Sequence, residues 1–476
     1  MKRTAIIIGI ALCAYINAGA QSPPVSLAGS LDSLVASALP TNVFNPGLVV
    51  SVYVPGQWEW SGATGKAISG FTSGYPNVDA QPNNPFRVGS ITKMFMATAI
   101  LMLEEDALLS VEDDIALYLR ASLVNDTIAS SAPVKIRHLL NHTSGIGNLA
   151  DNDSCRMAAM ADLTRTFTLE EAIYCGAGQG EYFPPDFAWG YSNTNYALLA
   201  MIIKNITGVS AADYIQSNII DVLNLNDTGV PTTDELQGSH MGCYWELPPM
   251  IDLTIVDATL YHGWADIAAS PEDLNKFFHA LRSETLINAT SLAKMETIAS
   301  VAWDYGYGLE YYDIGGDLYY GHSGDVGNTS GLFFSDISTA TFPDGYYVAY
   351  NYTYEGVAPY HVLDKPLHDL MQDFVPGPGD TGTTPVTTEQ LAGAFNLSVY
   401  PNPAEDYVII QADQPLTTDV VVAVKDISGR IAPSVSYTVD AYKISVSLAG
   451  LNPGIYFIAL SGEMGFWQEK LIIHHN

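Results

Sequence analysis

The segment VPGPGDTGTTPVTTEQ, from Val375 to Gln390, divides this chain into two stretches that follow different folding patterns. It is rich in Pro, Gly and Thr and has no apolar periodicity, so it reads as an extended linker. The stretch before it mixes two periods. GLVVSVYVP, GLFFSDI and YYVAYNY cluster β-branched and aromatic residues and predict strands. Helices are predicted over Phe95–Leu109, Asn195–Ile206, Ala212–Leu223 and Pro271–Leu281. The last has a strong start signal, with Ser270 as cap, Pro271 at the first position and acids in the first turn. The stretch after the linker holds short strand-like runs: FNLSVYPNP, DYVIIQAD, DVVVAVKD, KISVSLAG, GIYFIAL and EKLIIHH. Turn residues such as Asp426-Ile427-Ser428-Gly429 separate them, the spacing of a small β-sandwich.

The opening MKRTAIIIGIALCAYINAGA has two basic residues, an apolar run and small residues before Gln21. It reads as a secretory signal peptide over 1–20. A lipoprotein reading through Cys13 is disfavoured by the bulky Leu12 before it. No other apolar run is long enough to span a bilayer, so the mature chain is expected to be soluble and to lack a transmembrane segment. Against 51 acidic residues stand only 19 Lys and Arg, a net charge of −32. That excess argues against nucleic acid and against anionic membranes as partners. Its simplest meaning is solubility or a salty habitat. Cys155 and Cys175 flank one loop and could bridge it in an oxidising compartment, leaving Cys243 over.

The chemistry begins in FRVGSITKMF. Ser90 and Lys93 stand three apart, so on a helix the lysine can reach the serine hydroxyl and take its proton. The motif alone is weak, because Ser291-Leu292-Ala293-Lys294 matches it on what reads as an ordinary surface helix. A second cluster, Tyr191-Ser192-Asn193, precedes the apolar run NYALLAMII. A tyrosine beside a serine and a lysine can serve as a base if the ammonium lowers its pKa, and an asparagine amide can hold a substrate carbonyl while binding the lysine. The third cluster is His322-Ser323-Gly324 in LYYGHSGDVGNTSGLFFS. There glycine lets backbone approach a substrate, and the Asp325 N–H could join that of Ser90 as an oxyanion hole. Gly321-His322-Ser323-Gly324-Asp325 falls short of a G-x-S-x-G nucleophile turn at Asp325. His138 and His142 have zinc-like spacing, but Leu139 stands where a zinc protease needs glutamate, so a structural role is expected. His474 and His475 are expected to be solvated.

In this order, Ser90-x-x-Lys93, Tyr191-x-Asn193 and His322-x-Gly324 resemble the serine β-lactamase and penicillin-binding family, most of all class C β-lactamases, D-Ala-D-Ala carboxypeptidases and related serine esterases. IRHLLNHTSGIG, DIAASPEDLNKFF and YGYGLEYY resemble it as well, and the likeness covers most of residues 25 to 370. The resemblance implies an α/β (α+β) fold, with an antiparallel sheet flanked by helices and a helical subdomain. It implies Ser90 as nucleophile, with Lys93 and Tyr191 sharing the proton traffic. Asn193, His322, Ser323, Gly324 and Asp325 would bind a small-molecule or peptide substrate, and no metal or cofactor is implied. His322 stands where many relatives have lysine and would recognise a carboxylate only when protonated. Asp325, Asp186 and Trp264 are further departures, and together they blur which leaving group is expected.

The tail resembles the C-terminal sorting domain of type IX secretion in Bacteroidota, through LSVYPNPAEDYVII, DISGRI, LNPGIYFIAL and EKLIIHH. The expected organisation is therefore a signal peptide (1–20), a hydrolase domain (21–374), a linker (375–390) and a sorting β-sandwich (391–476). The expected function is a secreted or surface-held serine hydrolase of the D-Ala-D-Ala carboxypeptidase or β-lactamase kind, with the secretion machinery as a partner. The alternatives are a carboxylesterase on the same fold and a binding protein that has lost turnover.

Overall fold

The computed structural model describes residues 21–39, 46–69, 76–245, 250–302, 304–355, 357–377 and 380, and in the tail 397–400, 404, 406–412, 421–426, 435–440, 442–462 and 465–474. The expected leader and most of the linker lie outside them, as does the turn after Asp426. The chain divides into two compact units, Met1–Thr383 and Thr384–Asn476.

The first unit is built on strands β1 (Gly47–Val54), β2 (Trp58–Ile68) and β3 (Val78–Asp79). Four two-residue strands follow, β4 (Phe86–Arg87), β5 (Tyr244–Trp245), β6 (Ile251–Asp252) and β7 (Ala268–Ala269), pairing as β4 with β7 and β5 with β6. Then come β8 (Glu310–Ile314), β9 (Asp317–Asp325), β10 (Thr329–Ser335) and β11 (Tyr346–Tyr352). Seven of these form one antiparallel sheet in the order β3-β2-β1-β11-β10-β9-β8. The helices are α1 (Val25–Ser37), α2 (Thr92–Glu105), α3 (Ile136–Leu140), α4 (Asp153–Ala161), α5 (Leu169–Ala177), α6 (Asn193–Thr207), α7 (Ala211–Ile215), α8 (Asp221–Leu223), α9 (Pro271–Arg282), α10 (Ala289–Met295) and α11 (Lys365–Asp373).

The sheet is covered on both faces, which is why β1 and β11 read as unbroken apolar runs rather than alternating ones. Val50, Val52, Val348 and Tyr350 pack on α1 and α11 through Leu27, Leu31, Leu367 and Met371. Val49, Ala349 and Leu332 face the other way, toward Phe95 of α2 and Phe277 of α9, whose rings stack at 3.6 Å. The helical subdomain, α3 to α8, shares that second core through Leu139, Ile173, Leu198 and Ile202.

The start of α9 is as expected: Ser270 Oγ accepts the Asp273 N–H at 3.3 Å. α2 runs earlier than expected. It starts at Thr92 and stops at Glu105, where Ala107 takes a positive φ of 55° that no helix continues through. The single helix expected over Ala212–Leu223 contains a wider π-type turn, Gln216–Ile220, which puts the neighbours Ile219 and Ile220 both inside. Cys155 and Cys175 are bridged, tying α4 to α5, and Cys243 is free and buried. Among the described residues no single helix is long and apolar enough to cross a membrane.

The second unit has β12 (Leu397–Tyr400), β13 (Tyr407–Ala412), β14 (Val421–Asp426), β15 (Ser436–Asp440), β16 (Lys443–Ser447), β17 (Gly454–Gly462) and β18 (Gly465–Ile473). They form two antiparallel sheets, β12-β13-β16-β15 and β14-β17-β18. Val408, Ile410, Ile444 and Val446 of the first share a core with Val424, Ile458 and Leu471 of the second. β15 was not among the expected strands. All five of its residues are exposed, so its sequence carries no apolar alternation, and pairing with β16 alone holds it at the sheet edge.

Candidate active site

Ser90 sits on a tight 3₁₀ turn, Gly89–Ile91, that runs directly into α2. Lys93, the second residue of α2, lies one turn on, with Nζ 2.8 Å from Ser90 Oγ and 3.0 Å from the Trp264 carbonyl oxygen. Tyr191 enters from the start of α6, and its hydroxyl is 2.8 Å from the same Oγ. The structure thus brings the three expected catalytic residues onto one atom, although 101 residues separate Ser90 from Tyr191.

Strand β9 presses against the serine turn. Gly89 has φ +59°, and a Cβ on it would stand 2.6 Å from the Asp325 nitrogen. A Cβ on Gly324 would stand 2.0 Å from the Val88 carbonyl oxygen. β8 pairs only with the first part of β9, ending at Glu310 opposite Gly321, so His322–Asp325 form an edge with β10 on one side only. The Ser323 N–H points out of that edge, to Glu310 Oε2 at 2.8 Å. By the two-residue alternation of a strand, the Asp325 N–H leaves on the same side, beside the serine turn.

Burial sets the charges. Lys93 has no exposed surface, and desolvation holds its ammonium well below the usual lysine range despite the nearby Glu310 and Asp266 carboxylates. Its neighbours are aromatic, with Nζ 4.9 Å from the Tyr191 ring centre and 5.4 Å from that of Tyr196. The Tyr191 phenol moves up, not down: burial, then Glu310, push it well above its ordinary range. The expectation that an adjacent ammonium would lower it fails because the amine is itself driven toward neutrality.

His322 also departs from expectation. It is fully buried. Its Nε2 lies 2.9 Å from the Tyr305 hydroxyl and its Nδ1 2.5 Å from the Ser323 carbonyl oxygen. Burial lowers its pKa, with Glu310 opposing and Lys93 adding to the effect. A neutral ring donating from Nδ1 and accepting at Nε2 satisfies both contacts. The imidazole is thus an internal brace rather than a protonated group awaiting a carboxylate. Asn193 does not bond Lys93, because the lysine reaches the Trp264 carbonyl instead. The Asn193 N–H donates to Asn148 Oδ1 at 3.0 Å, while its own Oδ1 is buried without a partner among the described residues. Asp325 is exposed, and its carboxylate accepts the Gly327 N–H at 3.1 Å.

The other singled-out residues are accounted for by local structure. Lys294 pairs with Glu104 at 2.8 Å, well away from any nucleophile role for Ser291. His138 accepts the Lys135 N–H and contacts Asp186. His142 Nδ1 accepts the Ser192 N–H at 3.2 Å. Asp186 takes a positive φ of 64° and holds Arg137 in a two-pronged pair at 2.8 and 2.6 Å, a structural clamp under the loop that leads to Tyr191. Trp264 packs inward on Tyr261 rather than lining an opening.

Sequence reasoning missed Glu310, Tyr305 and the Trp264 carbonyl. Glu310 Oε2 takes both the Ser323 N–H and the Tyr312 hydroxyl, at 2.8 and 2.6 Å, and Oε1 lies 3.6 Å from His322 Nδ1. The one signal was an acid inside the aromatic run YGYGLEYY, where a strand would otherwise carry apolar residues.

Residues 36–372 match the Beta-lactamase family model. The chain belongs to the Beta-lactamase family. A Putative penicillin-binding protein PbpX from Bacillus subtilis (strain 168) is 32% identical over 235 residues, 48% of this chain and 54% of that protein. A Penicillin-binding protein 4 of Amycolatopsis lactamdurans is 25% identical over 61% of this chain and 77% of its own length. The chain spans about half the length, or less, of the Bacillus subtilis and Staphylococcus aureus relatives it matches. Among solved structures, a D-stereospecific amidohydrolase from Streptomyces sp. superposes with a TM-score of 0.58 at 23% identity, covering 70% of this chain and 94% of that one. The octameric penicillin-binding protein homologue from Pyrococcus abyssi gives 0.59 at 20% identity, covering 93% and 99%. These two show a shared fold. Beta-lactamase family members are typically serine hydrolases. Residues 398–474 match the Secretion system C-terminal sorting domain, which marks the chain for export by type IX secretion and implies contact with that machinery.

Proposed function

We propose that this exported family member hydrolyses amides through an acyl-enzyme on Ser90. The observation that carries the reading is the lysine: an amine driven toward neutrality by complete burial, 2.8 Å from the Ser90 hydroxyl oxygen. As Oγ bonds to the substrate carbonyl carbon, its proton passes to Lys93 Nζ. The Ser90 and Asp325 N–H groups receive the oxyanion. Tyr191 keeps its proton at neutral pH, so it bridges Oγ to the leaving nitrogen, which takes a proton as the carbon–nitrogen bond breaks. Water then cleaves the ester, returning the proton to Ser90. Asn193 Oδ1, buried and unpartnered among the described residues, suits a substrate N–H. The substrate class is D-amino-acid peptides and related amides, β-lactams included. Carboxylic esters are the second reading, favoured by a neutral His322 that offers no charge to a substrate carboxylate.

The deciding experiment is intact mass of the mature protein after mixing with a penicillin, beside Ser90→Ala. An adduct on the parent that is absent from the variant, or loss of intact drug that needs Ser90, supports the reading. Undiminished drug binding by Ser90→Ala, with neither adduct nor turnover in the parent, would replace it with a surface binding protein. Type IX export carries the enzyme past the outer membrane, where foreign peptide fragments are the substrates to hand. Recovery of the mature protein from periplasm alone would count against that placement.

A further inference from the structure

The groups that a substrate carboxylate would need are already engaged by a carboxylate of the protein itself. The Ser323 N–H and the Tyr312 hydroxyl both donate to Glu310 Oε2, at 2.8 and 2.6 Å. The His322 Nδ1–H is turned to the Ser323 carbonyl. Lys93 is the basic side chain at the nucleophile, and its bonds go to Ser90 and the Trp264 carbonyl. A second carboxylate, that of Asp325, is exposed on the same strand edge. A carboxylate arriving beside the scissile bond would meet like charge.

Glu310 is placed to act on substrate as well as to exclude it. It begins β8, opposite Gly321, at the point where the edge of β9 opens toward Ser90. Its side chain keeps 16% of its surface open. Oε1 accepts no hydrogen bond from the described residues, and 3.6 Å separates it from His322 Nδ1. Oε2 is fixed by two donors, so the second oxygen is held in one direction. A fixed carboxylate oxygen with open lone pairs, at the edge of a water-poor site, is a receptor for a cationic N–H donor.

We propose that Glu310 makes this site select substrates that carry an ammonium group beside the bond Ser90 attacks, and reject those that carry a carboxylate there. The inference rests on the acyl-enzyme reading above and narrows its substrate class. It turns the expected D-Ala-D-Ala carboxypeptidase into an amidase for amides with a free amine.

Three peptides sharing one core test it on the full mature chain: D-alanyl-D-alaninamide with a free amine, its N-acetyl form, and N-acetyl-D-alanyl-D-alanine with a free carboxylate. The parent should rank them in that order by kcat/KM, with about tenfold or more between the first and the last. Glu310→Gln keeps the acceptor shape but removes the charge, and should shrink that ratio about tenfold. A parent that prefers the carboxylate, or a variant that slows all three equally, overturns the proposal. If Glu310→Gln melts far below the parent, inhibition of the parent's p-nitrophenyl acetate hydrolysis reads the same preference, with D-alaninamide expected to inhibit more tightly than N-acetyl-D-alanine. The reverse order overturns the proposal. p-Nitrophenyl acetate also separates the two levels. Acetylation of Ser90 by this neutral ester without any ammonium preference defeats this inference alone, whereas no acetylation by it and no turnover of any peptide defeats the acyl-enzyme reading and this inference with it.

Discussion

The Tyr305 hydroxyl donates to His322 Nε2 across 2.9 Å, and with the Ser323 carbonyl on Nδ1 it fixes the imidazole as a neutral ring. Phenol and imidazole are both buried, so neither has water to fall back on. Tyr305→Phe strands the Nε2 acceptor and should cost about 1–3 kcal/mol in urea unfolding at neutral pH. Unchanged stability would mean that Nε2 finds another partner or water once the hydroxyl is gone. Because burial lowers the His322 pKa, the folded chain refuses a proton that the unfolded chain accepts, and this residue contributes a loss of stability as pH falls below about 6.5.

Lys93 gives the pH dependence of acylation. With the free amine as the proposed base, the rate should rise with pH through the lowered Lys93 pKa and then level off. The raised Tyr191 pKa removes the descending limb that a tyrosine titrating near its ordinary value would add. Stopped-flow acylation across neutral and alkaline pH checks both halves, and a fall near pH ~10 would contradict the second. The same lysine makes folding harder as pH drops, since the unfolded side chain takes a proton that the folded one excludes. Lys93→Met should abolish acylation and gain stability over the parent by a margin that widens toward acid.

Gly89 holds β9 at working distance. Its positive φ and the 2.6 Å approach to the Asp325 nitrogen leave no room for a methyl group. Gly89→Ala should move the Asp325 N–H away from the oxyanion position and lower kcat by about a hundredfold, the usual loss for one such donor. KM should change less than kcat. A variant with parental kcat would remove Asp325 from the oxyanion hole.

Far from the nucleophile, Asp364 tests the core under α1 and α11. Its Oδ1 is buried without a partner, as is the Tyr352 hydroxyl, among the described residues. The Tyr350 hydroxyl donates to Oδ2 at 3.3 Å. Burial pushes this carboxyl up to about 7. The unfolded chain ionises it near 3.8, so its penalty on the fold is complete above about 7 and fades as pH falls toward 3.8. Asp364→Asn should therefore raise the melting temperature at pH ~8 and change it little at pH ~4. Equal shifts at both would mean that the side chain is solvated.

What the sequence disclosed followed the range of each signal. Ser90 and Lys93 were legible because helical period acts over three residues, and the Ser270 start of α9 because a cap is local. Tyr191 reached Ser90 only through resemblance, since nothing in its own neighbourhood names a partner so far away. Glu310 was illegible for a different reason. Its role arises from the register that sets it opposite Gly321 and from the late start of β8, and both are decided by pairing across a hairpin. His322 was found but its charge stayed open, because residue type does not reveal burial. Tail strand β15 escaped notice because an exposed edge strand needs no apolar pattern.

The late start of β8 also bears on how such enzymes could diverge. The groups proposed to make and break bonds lie on the turn into α2, the first turn of α2, the entry to α6 and the backbone of β9, whereas Glu310 belongs to a neighbouring strand tip. A single codon change at that tip would alter which charge is welcome while leaving nucleophile, amine and oxyanion donors in register. If Glu310 sets the selectivity as proposed, substrate choice and bond chemistry on this scaffold are separable by one residue.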